Sequence, residues 1–175
     1  MLLSTSRLFL RPVSLSDAPA LFAARGDPVV MRYWDWPQME SIGDVEKIIR
    51  AHADELANGR TRWWAVAESP NGPAIGECDL SEIDRHHRRA EVGFLFSRAY
   101  WGRGYAAEAM SAVVEHAFET LILERLWARC HAGNTSSARL LEQLGFEHEG
   151  SLRGHVVRDG KRRDCLIYGR LRKAS

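Results

Sequence analysis

The chain has 175 residues, the length of one domain; 45% of them are hydrophobic and 27% charged, as in a globular protein with a real core rather than a disordered or fibrous one. Its formal net charge of +1 excludes a global electrostatic attraction to nucleic acid or to an anionic membrane, so any anion must be bound locally. Its three cysteines, Cys78, Cys130 and Cys165, are too few and too scattered for a disulfide framework and favour a reducing compartment.

The N-terminal residues show no targeting signal. MLLSTSRLFLRP lacks the length and the small-residue cleavage site of a signal peptide, and no run of the chain approaches about 18 consecutive apolar residues. We therefore expect a cytoplasmic protein without a membrane segment, with residues 1–175 forming a single domain.

The N-terminal third predicts a strand, two helices and an aromatic loop. A strand at 8–11 ends at Pro12, and Ser14 or Ser16 then caps a helix that Gly26 closes. The segment DPVVMRYWDWP is bounded by prolines and reads as a loop or one helical turn. Apolar residues recur at helical spacing from 41 to 56, and Gly59 supplies the C-terminal stop.

The remaining elements predict a mixed sheet. Strands at 62–68, 74–80 and 90–96 are joined by turns, a long helix covers 106–121, and a strand at 126–130 follows in parallel to the preceding one. A helix at 134–144 leads to two strands at 146–157 and 162–171, which meet at the Asp159-Gly160 turn. The fold class is therefore α+β, with a mostly antiparallel sheet of about seven strands flanked by helices.

Two glycines mark a candidate anion site where a strand gives way to the long helix. Gly102 and Gly104 bracket Arg103; glycine lets the backbone approach a ligand, the first N–H groups of a helix point at an anion, and arginine adds charge. Gly102, Gly104 and Ala107 also satisfy G-x-G-x-x-A, the dinucleotide fingerprint. That fold requires an acidic residue about 20 positions further on, at the end of the next strand, where this chain has Arg129, Cys130 and His131. The missing acid argues against a dinucleotide-binding fold.

The same segment resembles a known family. WGRGYA is similar to the Q/R-x-x-G-x-G/A loop of the GNAT N-acetyltransferase superfamily, with Trp101 where Gln or Arg is usual, as in its RimJ/RimL-like branch. AEVGF, NTSSARLLEQLGF and EGSLRGHVVRDGKRRDCLIYGRL extend the similarity over the whole chain. The resemblance implies a GNAT fold with a splayed central strand pair and acetyl transfer from acetyl-CoA to a primary amine.

The resemblance also implies where acetyl-CoA binds. The pantetheine arm would pair with the strand edge, the pyrophosphate would bind the loop, and Asn134 would orient a pantetheine amide. The expected cofactor-binding residues are Phe94, Leu95, Phe96, Gly102, Arg103, Gly104, Tyr105, Ala106, Ala107 and Asn134. No metal is expected.

The resemblance and the chemistry together nominate catalytic residues. Amine acetylation needs a base for the ammonium and an acid for the departing thiolate. Glu91, in the pattern A-E-[IV]-G, is the expected base, with Glu77 of the preceding strand in reserve and assigned to the substrate site; Glu91 could instead only pair with Arg89. The family segment N-x-x-S lends Ser137 the role of acid, although one residue of this pair could simply cap the helix.

The aromatic loop is the expected wall of the acceptor site. Tyr33, Trp34 and Trp36 lie in the region that lines this site in the family, although core packing explains any single one equally well. The acceptor is expected to be a primary amine, with a protein N-terminal α-amine as one candidate, and a homodimer is one candidate assembly. Two alternatives stay open from the sequence: a non-catalytic acyl-CoA-binding module and an NAD(P)-dependent oxidoreductase.

Overall fold

The computed structural model describes residues 1–173 and contains one eight-stranded sheet. Its strands are β1 (Leu3–Ser4), β2 (Phe9–Pro12), β3 (Arg62–Ala67), β4 (Gly76–Asp84), β5 (Arg89–Phe96), β6 (Arg125–His131), β7 (Glu147–Arg158) and β8 (Lys161–Leu171). Their spatial order is β1-β2-β3-β4-β5-β6-β8-β7. Within residues 1–173, β5 and β6 form the single parallel pair, and the other neighbours are antiparallel.

In the described part of the chain, five α-helices cover the two faces of the sheet. They are α1 (Ala18–Arg25), α2 (Ile42–Ala51), α3 (Ala53–Asn58), α4 (Tyr105–Glu115) and α5 (Thr135–Gln143). The predicted α+β class and the parallel β5–β6 crossover are confirmed. A largely antiparallel sheet differs from the doubly wound parallel sheet of a dinucleotide-binding fold. No helix in the described part of the chain is long and apolar enough to cross a bilayer.

Neighbouring strand residues supply two separate cores because successive side chains point to opposite faces. Trp64 of β3 packs in the larger cluster with Val92 of β5 and Met110 of α4. Trp63, one residue earlier, packs on the other face with Leu21 of α1. The central strands are therefore covered on both sides, and a cavity between them must be shielded by elements from both faces.

Three local features differ from the sequence prediction. The short strand β1 was not predicted. The single helix expected from 41 to 59 is interrupted at His52, whose ψ of 2° leaves the helical range and whose ring Nδ1 lies 2.9 Å from the Ile48 carbonyl oxygen. The last part of the expected long helix is a π-helical turn, His116–Thr120. Apolar spacing alone does not register such breaks, because it continues across them.

Candidate active site

The sheet opens between its two parallel strands. β5 and β6 pair only from Arg89 to Glu91 of β5, although β5 continues to Phe96. A cavity of about 540 Å³ lies at this separation and is lined by residues of both faces of the sheet. The splayed strand pair that the sequence predicts is therefore present, and the cavity connects one side of the sheet with the other.

One face of the cavity is acidic and aromatic. Asp79 lies opposite Gly93 and Ser81 opposite Glu91 in the β4–β5 ladder, so these four residues share a face. The loop between α1 and α2 adds aromatic rings above them. The lining residues on this side include Tyr33, Trp34, Asp35, Trp36, Trp63, Asp79, Ser81, Glu91, Arg129 and His131. All three aromatic residues expected at the acceptor site thus line the cavity.

The opposite face is apolar except at the start of α5. Its lining residues are Val92, Phe94, Ala128, Cys130, Asn134, Ser137 and Leu141. Burial raises the pKa of Cys130 to about 11, so its thiol is protonated near neutral pH and is a poor nucleophile. The two polar groups of α5 therefore stand in an apolar surrounding.

Asn134 acts as the N-cap of α5. Its Oδ1 accepts a hydrogen bond of 3.2 Å from the backbone N–H of Ser137. This bond uses the Ser137 backbone, and within residues 1–173 the Ser137 side chain makes no hydrogen bond; Ser137 is one of the residues that line the cavity. The sequence left open which of the two residues caps the helix; the cap is Asn134, and the Ser137 hydroxyl stays available.

Glu91 contributes a half-buried carboxyl group to the acidic face. Burial raises its pKa to about 7 against the opposing charge of Arg129. No salt bridge in the described chain includes Glu91, and Arg89, the expected alternative partner, lies 3.8 Å from Asp84. A carboxyl group that titrates near neutral pH is suited to accept a proton during a reaction.

Asp79 is a second carboxyl group of this face that the sequence did not indicate. Its cross-strand partner, Gly93, lies two positions along β5 from Glu91, so Asp79 and Glu91 project from the same face of the sheet. Burial, together with the charge of Glu77, raises its pKa to about 6. Nothing in the string GECDL distinguishes Asp79 from a solvated strand residue; its position depends on the register of β4 against β5.

Glu77 lies beside the cavity and does not line it. Its Oε1 lies 2.7 Å from Arg25 Nη2, and its Oε2 accepts a 3.2 Å hydrogen bond from Trp63 Nε1. Both members of the ion pair are buried. This geometry argues against the reserve-base role expected for Glu77 and gives it a structural one, in which it compensates a buried arginine.

The glycine loop has the backbone geometry expected of an anion site. Gly102 and Gly104 have φ values of 73° and 76°, and α4 begins directly afterwards at Tyr105. A Cβ added at Gly102 would meet nothing within 4 Å, so the space beside this residue is open. Trp101, which replaces the usual Gln or Arg, donates a 2.8 Å hydrogen bond from Nε1 to the Phe96 carbonyl and holds the loop against the end of β5.

The side chains of the expected cofactor-binding residues differ in how deeply they are buried. Arg103 is exposed, with its guanidinium 5.4 Å from the Tyr100 ring, and Tyr105 donates a hydrogen bond to Glu68. Leu95 and Phe96 instead pack into separate hydrophobic clusters. Ala106 and Ala107 are half-buried in the first turn of α4. Of the expected cofactor-binding residues, Phe94 and Asn134 line the cavity, and Leu95, Phe96 and the residues of the glycine loop do not.

A second group that the sequence missed holds the aromatic loop against β6. Asp35 Oδ1 lies 2.9 Å from His131 Nε2, and Asp35 Oδ2 lies 3.3 Å from Arg129 Nη2. The Tyr33 ring meets the His131 ring edge-on at 6.5 Å. Asp35 and His131 are 96 positions apart in sequence, so local motifs could not reveal their contact. It fixes the position of Trp34 and Trp36 over the cavity.

Within residues 1–173, no group of three or more His, Cys, Asp or Glu side chains is arranged to hold a metal ion. The acidic face therefore offers carboxylates in a pair and not in a coordination cluster. Such a face can bind a cationic group and exchange protons with it.

Comparison with known proteins identifies the same architecture elsewhere. The family model described as an acetyltransferase (GNAT) domain matches residues 7–147. An uncharacterised N-acetyltransferase of Bacillus subtilis, YoaA, is 34% identical over 95% of this chain and 94% of that protein. Spermidine N-acetyltransferase of Vibrio cholerae, solved with CoA and spermine, is 24% identical with a TM-score of 0.84, covering 95% of this chain and 96% of the other. RimL, a ribosomal-protein α-N-acetyltransferase solved with coenzyme A, is 19% identical with a TM-score of 0.89 over 98% of both chains.

Proposed function

Because the chain belongs to the acetyltransferase (GNAT) family and transfers an acetyl group from acetyl-CoA to an amine, we propose that its two substrates meet in the cavity between β5 and β6. The observation that carries this proposal is that one cavity is lined by Glu91 from one face of the sheet and by Ser137 from the other. An amine and a thioester that enter from opposite faces would react between these two groups.

Acetyl-CoA binds along β5 and the glycine loop in this proposal. Beyond Glu91, the edge of β5 that faces β6 has no ladder partner, so the backbone of Phe94 to Phe96 can pair with the two amides of pantetheine like an added strand. The N–H groups of Gly102 to Ala107 receive the pyrophosphate at the start of α4. Arg103 adds a positive charge, and the free Nδ2 of Asn134 orients a pantetheine carbonyl.

Glu91 is the proposed base. The acceptor arrives as an ammonium ion and must lose a proton before its nitrogen can attack the thioester carbonyl carbon. Glu91 takes that proton, directly or through one water, because its pKa of about 7 leaves much of it ionised at neutral pH. The attack is direct, without an acyl-enzyme intermediate, in agreement with the protonated state of Cys130.

Ser137 is the proposed acid. When the tetrahedral intermediate collapses, the carbon–sulfur bond breaks and the CoA thiolate needs a proton. Ser137 lines the cavity from the face proposed to hold the thioester, and its hydroxyl has no hydrogen-bond partner within the described residues. The proton it donates is restored from solvent, and acetylated amine and CoA leave.

The α-amine of a protein N-terminus is the proposed acceptor. An α-amine titrates near about 8 and a lysine-type amine near about 10.4, so a base with a pKa of about 7 is better matched to the former. A polyamine is a second candidate, favoured by the uncompensated carboxyl groups of the acidic face. The Vibrio cholerae relative is named for spermidine, and RimL for a ribosomal protein.

Release of CoA thiol from acetyl-CoA in the presence of an amine panel tests this function. The panel contains N-terminal peptides, lysine-side-chain peptides, spermidine and an aminoglycoside. We expect amine-dependent release that is highest for α-amines. Binding of acetyl-CoA without release of thiol in the presence of any amine would support the non-catalytic acyl-CoA-binding alternative and would contradict the proposal.

Two further properties belong to the proposal. We expect a homodimer, which light scattering of the purified protein measures directly. We also expect a reducing, cytoplasmic environment, supported by the three cysteines, which are buried and unpaired. Export into an oxidising compartment with retention of activity would contradict the second expectation.

A further inference from the structure

We propose that Asp79 is a second substrate-binding carboxylate, which holds the ammonium group of the acceptor against β5 while Glu91 removes its proton. The inference deepens the proposed function and rests on it. It starts from the position of Asp79 across from Gly93, a pairing that places a carboxylate where the acetyl group and the amine would meet.

The absence of a side chain at Gly93 creates the place for this carboxylate. A Cβ built on Gly93 would lie 2.3 Å from Asp79 Oδ1 and 3.2 Å from Oδ2, far inside van der Waals contact. The carboxylate therefore occupies the volume that any other residue at position 93 would fill. It lies directly over the backbone of β5, the strand proposed to bind pantetheine.

Within residues 1–173 neither Asp79 nor Glu91 forms a salt bridge, in contrast to two of the acids around them. Glu77 is paired with Arg25, and Asp35 with Arg129. The nearby cations are thus already engaged. A buried carboxylate without a countercharge is costly, and a cation supplied by the substrate removes that cost. The pair of open carboxylates fits one alkylammonium group.

Charged and titratable groups on the surrounding elements shift the pKa values of Asp79 and Glu91. Those that act on Asp79 are Glu77, Arg25 and His52, and those that act on Glu91 are Arg129, Glu82, Asp79 and Asp35. The negative charge of Asp79 is one of the causes that raise the pKa of Glu91. Asp79 therefore has two effects: it attracts the ammonium group, and it makes Glu91 a stronger base.

The proton balance of the step is complete with these groups. The ammonium ion donates one N–H proton to Glu91 and keeps a hydrogen bond to ionised Asp79. The neutral nitrogen then attacks the thioester carbon, and Asp79 remains ionised throughout. Glu91 returns its proton to solvent after the product leaves, so no additional reactant is required.

The substitution Asp79→Asn tests the proposal, with Asp84→Asn at the exposed end of the same strand as the matched control. We expect the acceptor KM to rise about 10- to 100-fold, as for loss of a hydrogen bond to a charged group, while the dissociation constant for acetyl-CoA stays unchanged. The acid limb of the kcat/KM profile should also move to lower pH, because Glu91 loses a neighbouring negative charge. Asp84→Asn should change neither quantity.

The substitution Gly93→Ala gives a second test that keeps both carboxylates. Its methyl group displaces the Asp79 side chain, so we expect the same rise in acceptor KM. An Asp79→Asn enzyme with unchanged acceptor KM and an unshifted acid limb would overturn the inference, provided that Glu91→Gln impairs turnover in the same assay. If Glu91→Gln is also without effect, the proposed function itself fails.

Discussion

Glu91 and Ser137 line one cavity from opposite faces of the sheet. Glu91 is the last residue of β5 paired with β6, and Ser137 lies in the first turn of α5, where the side chain of Asn134 caps the helix. The separation of the strands beyond Glu91 is what allows groups from both faces to reach the same space. Four predictions follow from this arrangement, each with its own measurement.

Replacing Ser137 with alanine should lower kcat without changing the affinity for acetyl-CoA. A positioned acid contributes about 10²- to 10⁴-fold to such a step, and the backbone hydrogen bond from residue 137 to Asn134 survives the change. Ser136→Ala is the matched control, because Ser136 is exposed and lies outside the cavity. Steady-state kinetics with separate acetyl-CoA titrations measures both effects; equal kcat values for the two variants would reject the role of Ser137.

The rate of the wild-type enzyme should rise with pH through about 7, the pKa to which burial raises the Glu91 carboxyl group. Protonation below this pH removes the base, and ionisation above it restores the base. In Glu91→Gln this acid limb should disappear, with a loss in kcat of about 10²- to 10⁴-fold. A pH–rate profile from pH 5 to 9 checks both; an identical limb in the variant would contradict the assignment.

Replacing Gly104 with glutamate should abolish binding of CoA. Gly104 has a φ of 76° and precedes the first N–H groups of α4, where a carboxylate would repel the pyrophosphate. Gly160→Glu is the control, since Gly160 has a similar φ of 71° in the β7–β8 turn, with no atom within 4 Å of an added Cβ. Titration calorimetry with CoA measures the difference. Tight binding by the Gly104 variant would remove the loop from the site.

Replacing Glu77 with glutamine should destabilise the fold because it leaves Arg25 buried without its countercharge. Breaking a buried ion pair in this way costs about 3–5 kcal/mol. The matched control, Glu46→Gln, breaks an exposed pair with Arg50, which is worth at most about 1 kcal/mol. Urea denaturation gives the free energy of unfolding of both variants, and a loss in Glu77→Gln no larger than in the control would contradict the structural role.

Much of the fold could be predicted from sequence because it depends on local signals. The Asp159-Gly160 dipeptide predicts the final hairpin, and both residues have positive φ values as that turn requires. The break at His52 and the π-helical turn after Glu115 could not be predicted, since the apolar spacing runs through both of them.

The candidate site was only partly predictable for a related reason. The glycine loop and the N-x-x-S segment are contiguous in sequence, so motifs indicate them. Asp79 depends on the strand register that places it opposite Gly93, and Asp35 meets His131 across 96 positions. Such contacts arise from the packing of distant segments, and no motif in the neighbouring sequence predicts them.

A crystal structure of the protein with CoA would show directly whether CoA binds along β5 and the glycine loop. We predict the pyrophosphate on the backbone N–H groups of Gly102 to Ala107 and pantetheine paired with β5 beyond Glu91. It also predicts the CoA sulfur in the cavity between Glu91 and Ser137. CoA bound elsewhere, with this loop empty and the sulfur outside the cavity, would contradict it.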